Sequence, residues 1–467
     1  MVLKLKPTYT PILGWTTSIK AKEGIPYFLI INEEGFSACR INKTGKEILE
    51  MCNGINSLKS IAAIIARKYN VDLKGCLSDV MKFIEEAYQN GFLFFPNLPQ
   101  KVGFEYTSIT KPSEVWFHIT NRCNLKCLTC FKDAGRHYKN EISLSQAKKI
   151  IDEIGKLAPD TVVVSGGEPL IHEECLPILK YLKEKGLFIH LITNGTLITK
   201  DIAFSLKKIG VDFVQVSLDG SSPYVNDKIR GKGTFKRTME GVKNLKEASL
   251  RFSLYPTITK LNIDDLPNMY RMFPPIADRK SLGCAFFCPI GRRGRNKELL
   301  HIPHQEFFNK VIRFLFFEVK LFKKGYDFNF KMEGIPPNLF KRPNCGLGSG
   351  TFSIDADGSV YPCQWLHLPK FRAGNVFLKP LREIYYTSPI FQKMRNLRVD
   401  TLSLECRKCE IRYLCGGGCR AHALRETGSI LKRDPLCCIF KPTFEWGLWG
   451  ATPQLSEIKP YKEEVGL

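Results

Sequence analysis

The chain lacks any uncharged apolar stretch approaching bilayer-spanning length, which argues against a transmembrane helix. Its opening residues, Met-Val-Leu-Lys-Leu-Lys-Pro, lack the apolar run of a secretory signal peptide. No internal repeat and no low-complexity segment stands out, which argues against a solenoid or a compositionally disordered chain. Acidic residues are in deficit: 46 Asp and Glu face 69 Lys and Arg, a formal net charge of +23. Such a balance suits an anionic partner, a nucleic acid or an acidic peptide, although thiolate-ligated metal clusters would offset part of it. Cysteine is abundant instead. There are 17, an odd number, many in C-x2-C-type spacings, which favours metal binding over disulfides. The expectation is a soluble protein of a reducing compartment, the cytoplasm, with no membrane partner. Its 467 residues are enough for roughly three domains.

Three cysteines, Cys123, Cys127 and Cys130, stand in Thr120-Asn-Arg-Cys-Asn-Leu-Lys-Cys-Leu-Thr-Cys-Phe131, spaced C-x3-C-x2-C. Three thiolates on one short loop can ligate three irons of a cubane cluster and leave the fourth open for chemistry. A zinc loop short of one ligand, or three buried thiols, would use the same spacing. Downstream, strand-like Thr161-Val-Val-Val-Ser165 runs into Gly166-Gly167-Glu168-Pro169, where paired glycines let a ligand approach the backbone and Glu168 can hold an ammonium group. Ile192-Thr193-Asn194-Gly195 and Val214-Gln-Val-Ser-Leu-Asp-Gly220 read as buried strands ending in polar turns. Together these elements resemble the signature of radical S-adenosylmethionine (SAM) enzymes. The resemblance implies that Cys123, Cys127 and Cys130 are the catalytic cluster ligands. It implies that Gly166, Gly167, Glu168 and Pro169 hold the methionine amino group of SAM. Asn194 is then a candidate for the methionine part, and Ser217 and Asp219 for the ribose. Arg230 suits a carboxylate or a helix end equally.

Candidate strands at 114–120, 161–166, 188–194, 213–219, 252–259 and 282–288 alternate with helical patterns. One such pattern, 148–157, is opened by a capping box beginning at Ser143. Alternation of this kind argues a parallel sheet with helical crossovers, and six units make a partial barrel with chemistry at the carboxyl ends of its strands. The fold class expected is α/β, a partial (β/α)6 barrel over residues 112–300, with a small module before it and a cysteine-rich domain after it.

The carboxyl third carries Cys345, then Gly358 and Cys363, then Cys406, Cys409, Cys415, Cys419 and Cys437. Asp355-Ala-Asp-Gly358 reads as a hairpin tip, and Gly416-Gly417-Gly418 lets the backbone fold around metal. The alternative is a zinc ribbon. The order of cysteines resembles the SPASM domain, the auxiliary-cluster extension of radical SAM enzymes. The resemblance implies one [4Fe–4S] cluster on Cys406, Cys409, Cys415 and Cys437 and another on Cys345, Cys363 and Cys419, three clusters in all. Some relatives carry a further cysteine where Leu339 stands, so the second of these has an open iron or recruits Cys284, Cys288 or Cys438. Sulfatase-maturing relatives place an acidic base where Gln364 follows Cys363, and glutamine cannot take that proton. Cys39, Cys52, Cys76 and Cys175 lie outside every motif and read as core.

Residues 1–100 form a separate unit. Strands at 27–31 and 36–41 flank Asn32-Glu-Glu-Gly35, and helical patterns follow at 43–51, 58–68 and 72–90. The stretch from Ile41 to Gly54 resembles the PqqD-like recognition element of enzymes that modify ribosomally made peptides (RiPPs). There the leader of a precursor peptide adds as a strand to the small sheet. A nucleic-acid-binding winged helix is the alternative, but these helices carry no basic run and include Glu47, Glu50, Asp72, Asp79, Glu85 and Glu86. Residues 101–111 read as a linker, 301–342 as a bridge, 343–440 as the auxiliary domain and 441–467 as a tail packed by Trp446 and Trp449. The reading is a peptide maturase that uses SAM, a precursor peptide and an external electron donor such as flavodoxin or ferredoxin. Maturation of a haem-like cofactor is the alternative among enzymes, and a nucleic-acid-binding iron–sulfur redox sensor the alternative outside them.

Overall fold

The computed structural model describes residues 5–14, 17–21, 28–32, 37–96, 111–135, 141–276, 285–312, 344–409, 411–438 and 440–441. The turn at 32–35 apart from Asn32, most of the linker and bridge, the tail with Trp446 and Trp449, Cys284 and Leu339 therefore lie outside the described residues.

The amino-terminal module opens with β1 (Ile12–Leu13), β2 (Thr17–Lys20), β3 (Phe28–Asn32) and β4 (Ser37–Ile41). Helices α1 (Lys43–Glu50), α2 (Leu58–Tyr69) and α3 (Leu73–Gln89) and the short β5 (Leu93–Phe94) complete it. The expected hairpin is a three-stranded antiparallel sheet, β2-β3-β4, in which β4 is an edge among the described residues. Each helix starts where a polar side chain caps a backbone N–H: Asn42, Ser57 and Asp72 accept from Gly45, Ser60 and Gly75. Buried Ile48, Leu49, Ile61, Ile65, Val80 and Ile84 form the module's own core, and Cys39, Cys52 and Cys76 are buried with them.

The barrel runs β6 (Glu114–Thr120), α4 (Leu144–Leu157), β7 (Thr161–Gly166), α5 (Cys175–Glu184), β8 (Ile189–Thr193), α6 (Lys200–Ile209) and β9 (Phe213–Ser217). It continues through α7 (Pro223–Arg230), α8 (Thr234–Glu247), β10 (Phe252–Tyr255), β11 (Thr257–Ile258), α9 (Leu266–Ile276) and β12 (Ala285–Phe286). Strands β6 to β10 pair in parallel in chain order, and β11 pairs in parallel with β12. Val162, Val163 and Val164 are fully buried because helices and lumen cover both faces of a parallel strand. The capping box of α4 is formed, with Ser143 accepting from Gln146 and the Gln146 side chain accepting from the Ser143 backbone. Three details depart from expectation. The strand at 252–259 breaks between β10 and β11, the final strand covers only two described residues, and Cys288 lies beyond it rather than on it.

The sheet does not end at β6. Strand β13 (Thr351–Ile354) pairs in parallel with β6, placing Phe352 beside Val115 and Ile354 beside Phe117. It turns at Asp355–Gly358 into β14 (Ser359–Tyr361), and β15 (Gly374–Asn375) follows, giving eight strands in one sheet among the described residues. The cysteine-rich region is thus sewn into the barrel edge by backbone hydrogen bonds, which lends rigidity to the seam and satisfies groups that a free edge would expose. Among the described residues no helix is long and apolar enough to cross a membrane.

Candidate active site

The cysteine loop leaves the carboxyl end of β6 and is fixed by its neighbours. The Gly167 and Glu168 amides donate to the carbonyls of Thr120 and Arg122, at 2.8 and 2.9 Å. A β-carbon on Gly166 or Gly167 would lie 2.2 or 2.1 Å from those same oxygens. The two glycines are therefore needed first for the approach of the cysteine loop, and only their remaining surface faces the cavity. From the far side, Arg292 donates to the carbonyl of Cys127 at 3.2 Å and pairs with Asp133 at 3.3 Å, and the Arg295 guanidinium engages both oxygens of Asp133. This arginine clamp, Arg292 and Arg295, was not anticipated; a basic cluster beginning four residues after a predicted barrel strand was its signal.

Cys123, Cys127 and Cys130 line a cavity of about 410 Å³ together with Gly166, Gly167, Asn194, Ser217, Arg230, Arg292, Arg293, Gln364 and Trp365. Glu168 is fully buried beside it. Its carboxylate accepts from Thr193 Oγ1 and the Asn194 amide, both at 2.7 Å, and from the Leu170 amide at 3.2 Å. Burial nonetheless pushes its pKa above the ordinary carboxylate range, so a cation alongside would hold it charged. Pro169 starts a short 3-10 turn behind it. Asn194 is oriented by a hydrogen bond from its amide to Asn124 at 2.8 Å. Asp219 does not line the cavity. Its carboxylate accepts from the Thr257 amide at 2.7 Å and from Thr129 at 3.3 Å, and stands 2.8 Å from Arg230 Nε in an ion pair. It is thereby committed to holding Arg230 rather than open to a ribose, and Arg230 is neither a bare helix cap nor unpaired.

Burial pushes the Cys123 and Cys127 thiols up to about 12 and about 11. Unligated they would be neutral and inert, whereas a metal deprotonates them. Among the described residues no three His, Cys, Asp or Glu side chains converge closely enough to hold one metal ion. In a cubane each thiolate ligates its own iron, so three thiolates on one loop need not share a single metal ion. The donor set and the adjoining cavity therefore fit an iron–sulfur cluster with an open iron.

The carboxyl array divides into two groups. Cys406, Cys409, Cys415 and Cys437 line one cavity of about 520 Å³, and Cys438 lines it too. Gly416, Gly417 and Gly418 all adopt positive φ there, a turn that β-carbons would strain. Asp434 ties the knuckle by accepting from the Cys419 amide and bonding His422 Nδ1, each at 2.6 Å. Cys345, Cys363 and Cys419 stand within electrostatic reach of one another, and Cys288 within reach of Cys419. Cys288, Cys363 and Cys419 share one apolar cluster.

A buried polar network joins barrel to auxiliary domain and was missed. Lys132, two residues past Cys130, pairs with Asp355. His367 bridges Asp355 Oδ2 at 3.1 Å and Ser353 Oγ at 2.7 Å, and stacks on Tyr361. His118, on β6, is fully buried beside His367, and among the described residues neither of its ring nitrogens has a hydrogen-bond partner. Burial would raise Asp355, but Lys132 and His367 hold it well below the usual carboxylate range. Burial and then Lys132 push both histidines below theirs. The sequence offered Asp355 only as a turn residue.

An open parallel barrel carrying three cysteines and a Gly-Gly-Glu strand end at its carboxyl face, with a second cysteine array stitched to its edge, defines an iron–sulfur enzyme of the radical SAM type. Family models agree: the radical SAM superfamily matches residues 117–273, the coenzyme PQQ synthesis protein D family 28–93, and an iron–sulfur cluster-binding domain, SPASM, 345–410. The mycofactocin maturase MftC of Mycolicibacterium smegmatis is 30% identical over 327 residues, 69% of this chain and 81% of its own. The AdoMet-dependent heme synthase of Methanosarcina barkeri is 29% identical over 355 residues, 71% of this chain and 97% of its own. Streptococcus suis SuiB bound to S-adenosylmethionine shares the fold with a TM-score of 0.57 at 17% identity, over 91% of this chain and 99% of that one. SuiB bound to the precursor peptide SuiA matches at a TM-score of 0.55 and 15% identity, over 91% and 98%. The chain belongs to the radical SAM enzymes that carry a SPASM domain, and it bears a PqqD-like module at its amino end.

Proposed function

We propose that this enzyme modifies a ribosomally made precursor peptide, held through its leader by residues 1–100. The observation that carries the reading is the PqqD-type module, matched at 28–93, on the same chain as the cysteine loop and its cavity. Cys123, Cys127 and Cys130 would hold the SAM-binding [4Fe–4S] cluster, Cys406, Cys409, Cys415 and Cys437 one auxiliary cluster, and Cys345, Cys363 and Cys419 the other. Bound there, these groups and SAM supply a 5′-deoxyadenosyl radical that takes hydrogen from a side chain or Cα, and a route for the electron that follows.

The chain's own residues do the positioning. Glu168, preset by Thr193 and Asn194, meets the ammonium of SAM. Gly166, Gly167 and Asn194 border the methionine part, and Ser217 the ribose. Asp219 keeps Arg230 turned to the cavity beside Cys127. Trp116, Phe131, Tyr255 and Trp365 line the walls and exclude water from a reactive intermediate. Tethering the leader raises the concentration of the segment to be modified at the barrel mouth. An external donor such as flavodoxin or ferredoxin would deliver the first electron.

Anaerobic incubation with SAM and dithionite tests the chemistry: 5′-deoxyadenosine is expected, and none from a variant with Cys123, Cys127 and Cys130 all changed to Ala. That variant should retain about two thirds of the iron, the share of two cubanes among three. SAM cleavage by the triple variant would refute the assignment. A second reading, maturation of a haem-like cofactor, is favoured by the likeness to the heme synthase. It makes the amino-terminal module dispensable, which separates the two.

A further inference from the structure

Among the described residues four cations line the cavity: Lys132, Arg230, Arg292 and Arg293. Three are matched by carboxylates, Lys132 by Asp355, Arg230 by Asp219 and Arg292 by Asp133. Arg293 is not. It is 2% exposed, and its Nε and one terminal nitrogen have no hydrogen-bond partner among the described residues. Its backbone amide donates to the Cys130 carbonyl, which anchors the residue, and its side chain lies in the field of Cys288, Cys130 and Cys419 and between two rings. The guanidinium carbon lies 5.9 Å from the Phe131 ring centre and 5.3 Å from that of Trp365. Two aromatic faces fix the guanidinium in place, but they do not satisfy its N–H groups. An unpaired cation at this depth is unfavourable unless an anion arrives.

The position also distinguishes which anion. Glu168, Thr193 and Asn194 stand at the ends of β7 and β8. Arg293 stands on the segment after β12 and faces Trp365 of the auxiliary domain. Its forked donors match a carboxylate two oxygens at a time, which a lysine could not do.

We propose that Arg293 is the anchor for a carboxylate of the substrate, so that the enzyme acts on a peptide segment presenting an acidic side chain or a carboxyl terminus to this wall. The proposal rests on reading the cavity as the site of SAM-dependent chemistry. SAM carries a carboxylate of its own, and the bound clusters are anionic; both are alternative partners that the test must separate.

The test uses the full-length holoenzyme and a probe pair of equal size, propionate and propionamide, followed by saturation-transfer NMR. Wild type should bind propionate and not propionamide. Arg293→Gln should weaken propionate at least about tenfold, the loss of one charge-assisted pair, and Arg293→Lys should restore part of it. Iron content and SAM affinity should stay unchanged in both variants. Propionate binding unaffected by Arg293→Gln would overturn the proposal. So would a loss of SAM affinity, which assigns the residue to SAM, or a shifted cluster potential with propionate binding retained, which assigns it to the clusters. Failure of the wild-type enzyme to cleave SAM would count against the underlying reading alone, since the propionate series is read independently of turnover.

Discussion

Gly167 and Arg122 touch backbone to backbone: a β-carbon on the glycine would sit 2.1 Å from the arginine carbonyl oxygen. The oxygen belongs to the loop that presents Cys123, so the strand end and the cluster loop are one rigid piece. Gly167→Ala should therefore cost on the order of 1–3 kcal/mol as the loop is forced away, and the SAM-cluster iron should fall with it. Gly155→Ala, in α4 with open space around its α-carbon, is the control and should be neutral or stabilising by up to about 1 kcal/mol. Thermal unfolding and iron analysis of the two variants check this. Equal behaviour would show that the loop has room the geometry denies.

His118 and His367 give the seam between barrel and auxiliary domain a pH dependence. Both are held below the ordinary histidine value, by burial first and then by Lys132. In the unfolded chain they take up protons near pH 6.5, and in the folded protein only at lower pH. As pH falls below about 6.5 the unfolded state binds more protons, so stability must fall, by at most about 1.4 kcal/mol per pH unit for each group. His118→Phe should flatten the slope between pH 6.5 and 5. Urea midpoints across that range measure it, and an unchanged slope would mean His118 does not titrate differently on folding.

The fourth ligand of the cluster assigned to Cys345, Cys363 and Cys419 can be resolved by two substitutions. Cys288 shares an apolar cluster with Cys363 and Cys419, whereas Cys438 lines the other cavity, with its sulfur 3.3 Å from His304. Cys288→Ser should alter the Mössbauer and EPR signature of that one cluster, and Cys438→Ser should leave it as in the wild type. An unaltered spectrum in Cys288→Ser would leave that cluster with an iron open to the substrate.

The motifs were legible because chemistry dictates their spacing and barrel strands dictate their place. Cys123, Gly167 and Asn194 could be set at strand ends from hydrophobic runs and the turns that close them. The helix start at Ser143 was legible for a local reason, a side chain capping its own helix. What stayed hidden depends on residues far apart in sequence. Nothing local in Thr351–Ile354 says that it pairs with Glu114–Thr120. Lys132 and Asp355 are 223 residues apart, and the sequence marks neither as the other's partner. Asp219 was a candidate for the ribose because the family resemblance implies it, and only the tertiary contact with Arg230 shows where its charge is spent. The glycines before Glu168 were read as room for a ligand, and the backbone of the cysteine loop fills most of it.

The most direct test of peptide maturation is anaerobic turnover of the full-length enzyme with SAM, dithionite and the precursor encoded by a short reading frame beside its gene. It should be run in parallel with a variant lacking residues 1–100. Mass spectrometry of the peptide and 5′-deoxyadenosine yield are read together. The account predicts a mass change in the peptide beyond its leader, coupled to 5′-deoxyadenosine in the full-length enzyme. In the truncated enzyme it predicts near-complete loss of that change, with substrate-free SAM cleavage retained, because the barrel motifs begin after residue 112. Full-rate modification by the truncated enzyme, or 5′-deoxyadenosine release that leaves the peptide unaltered, would contradict it.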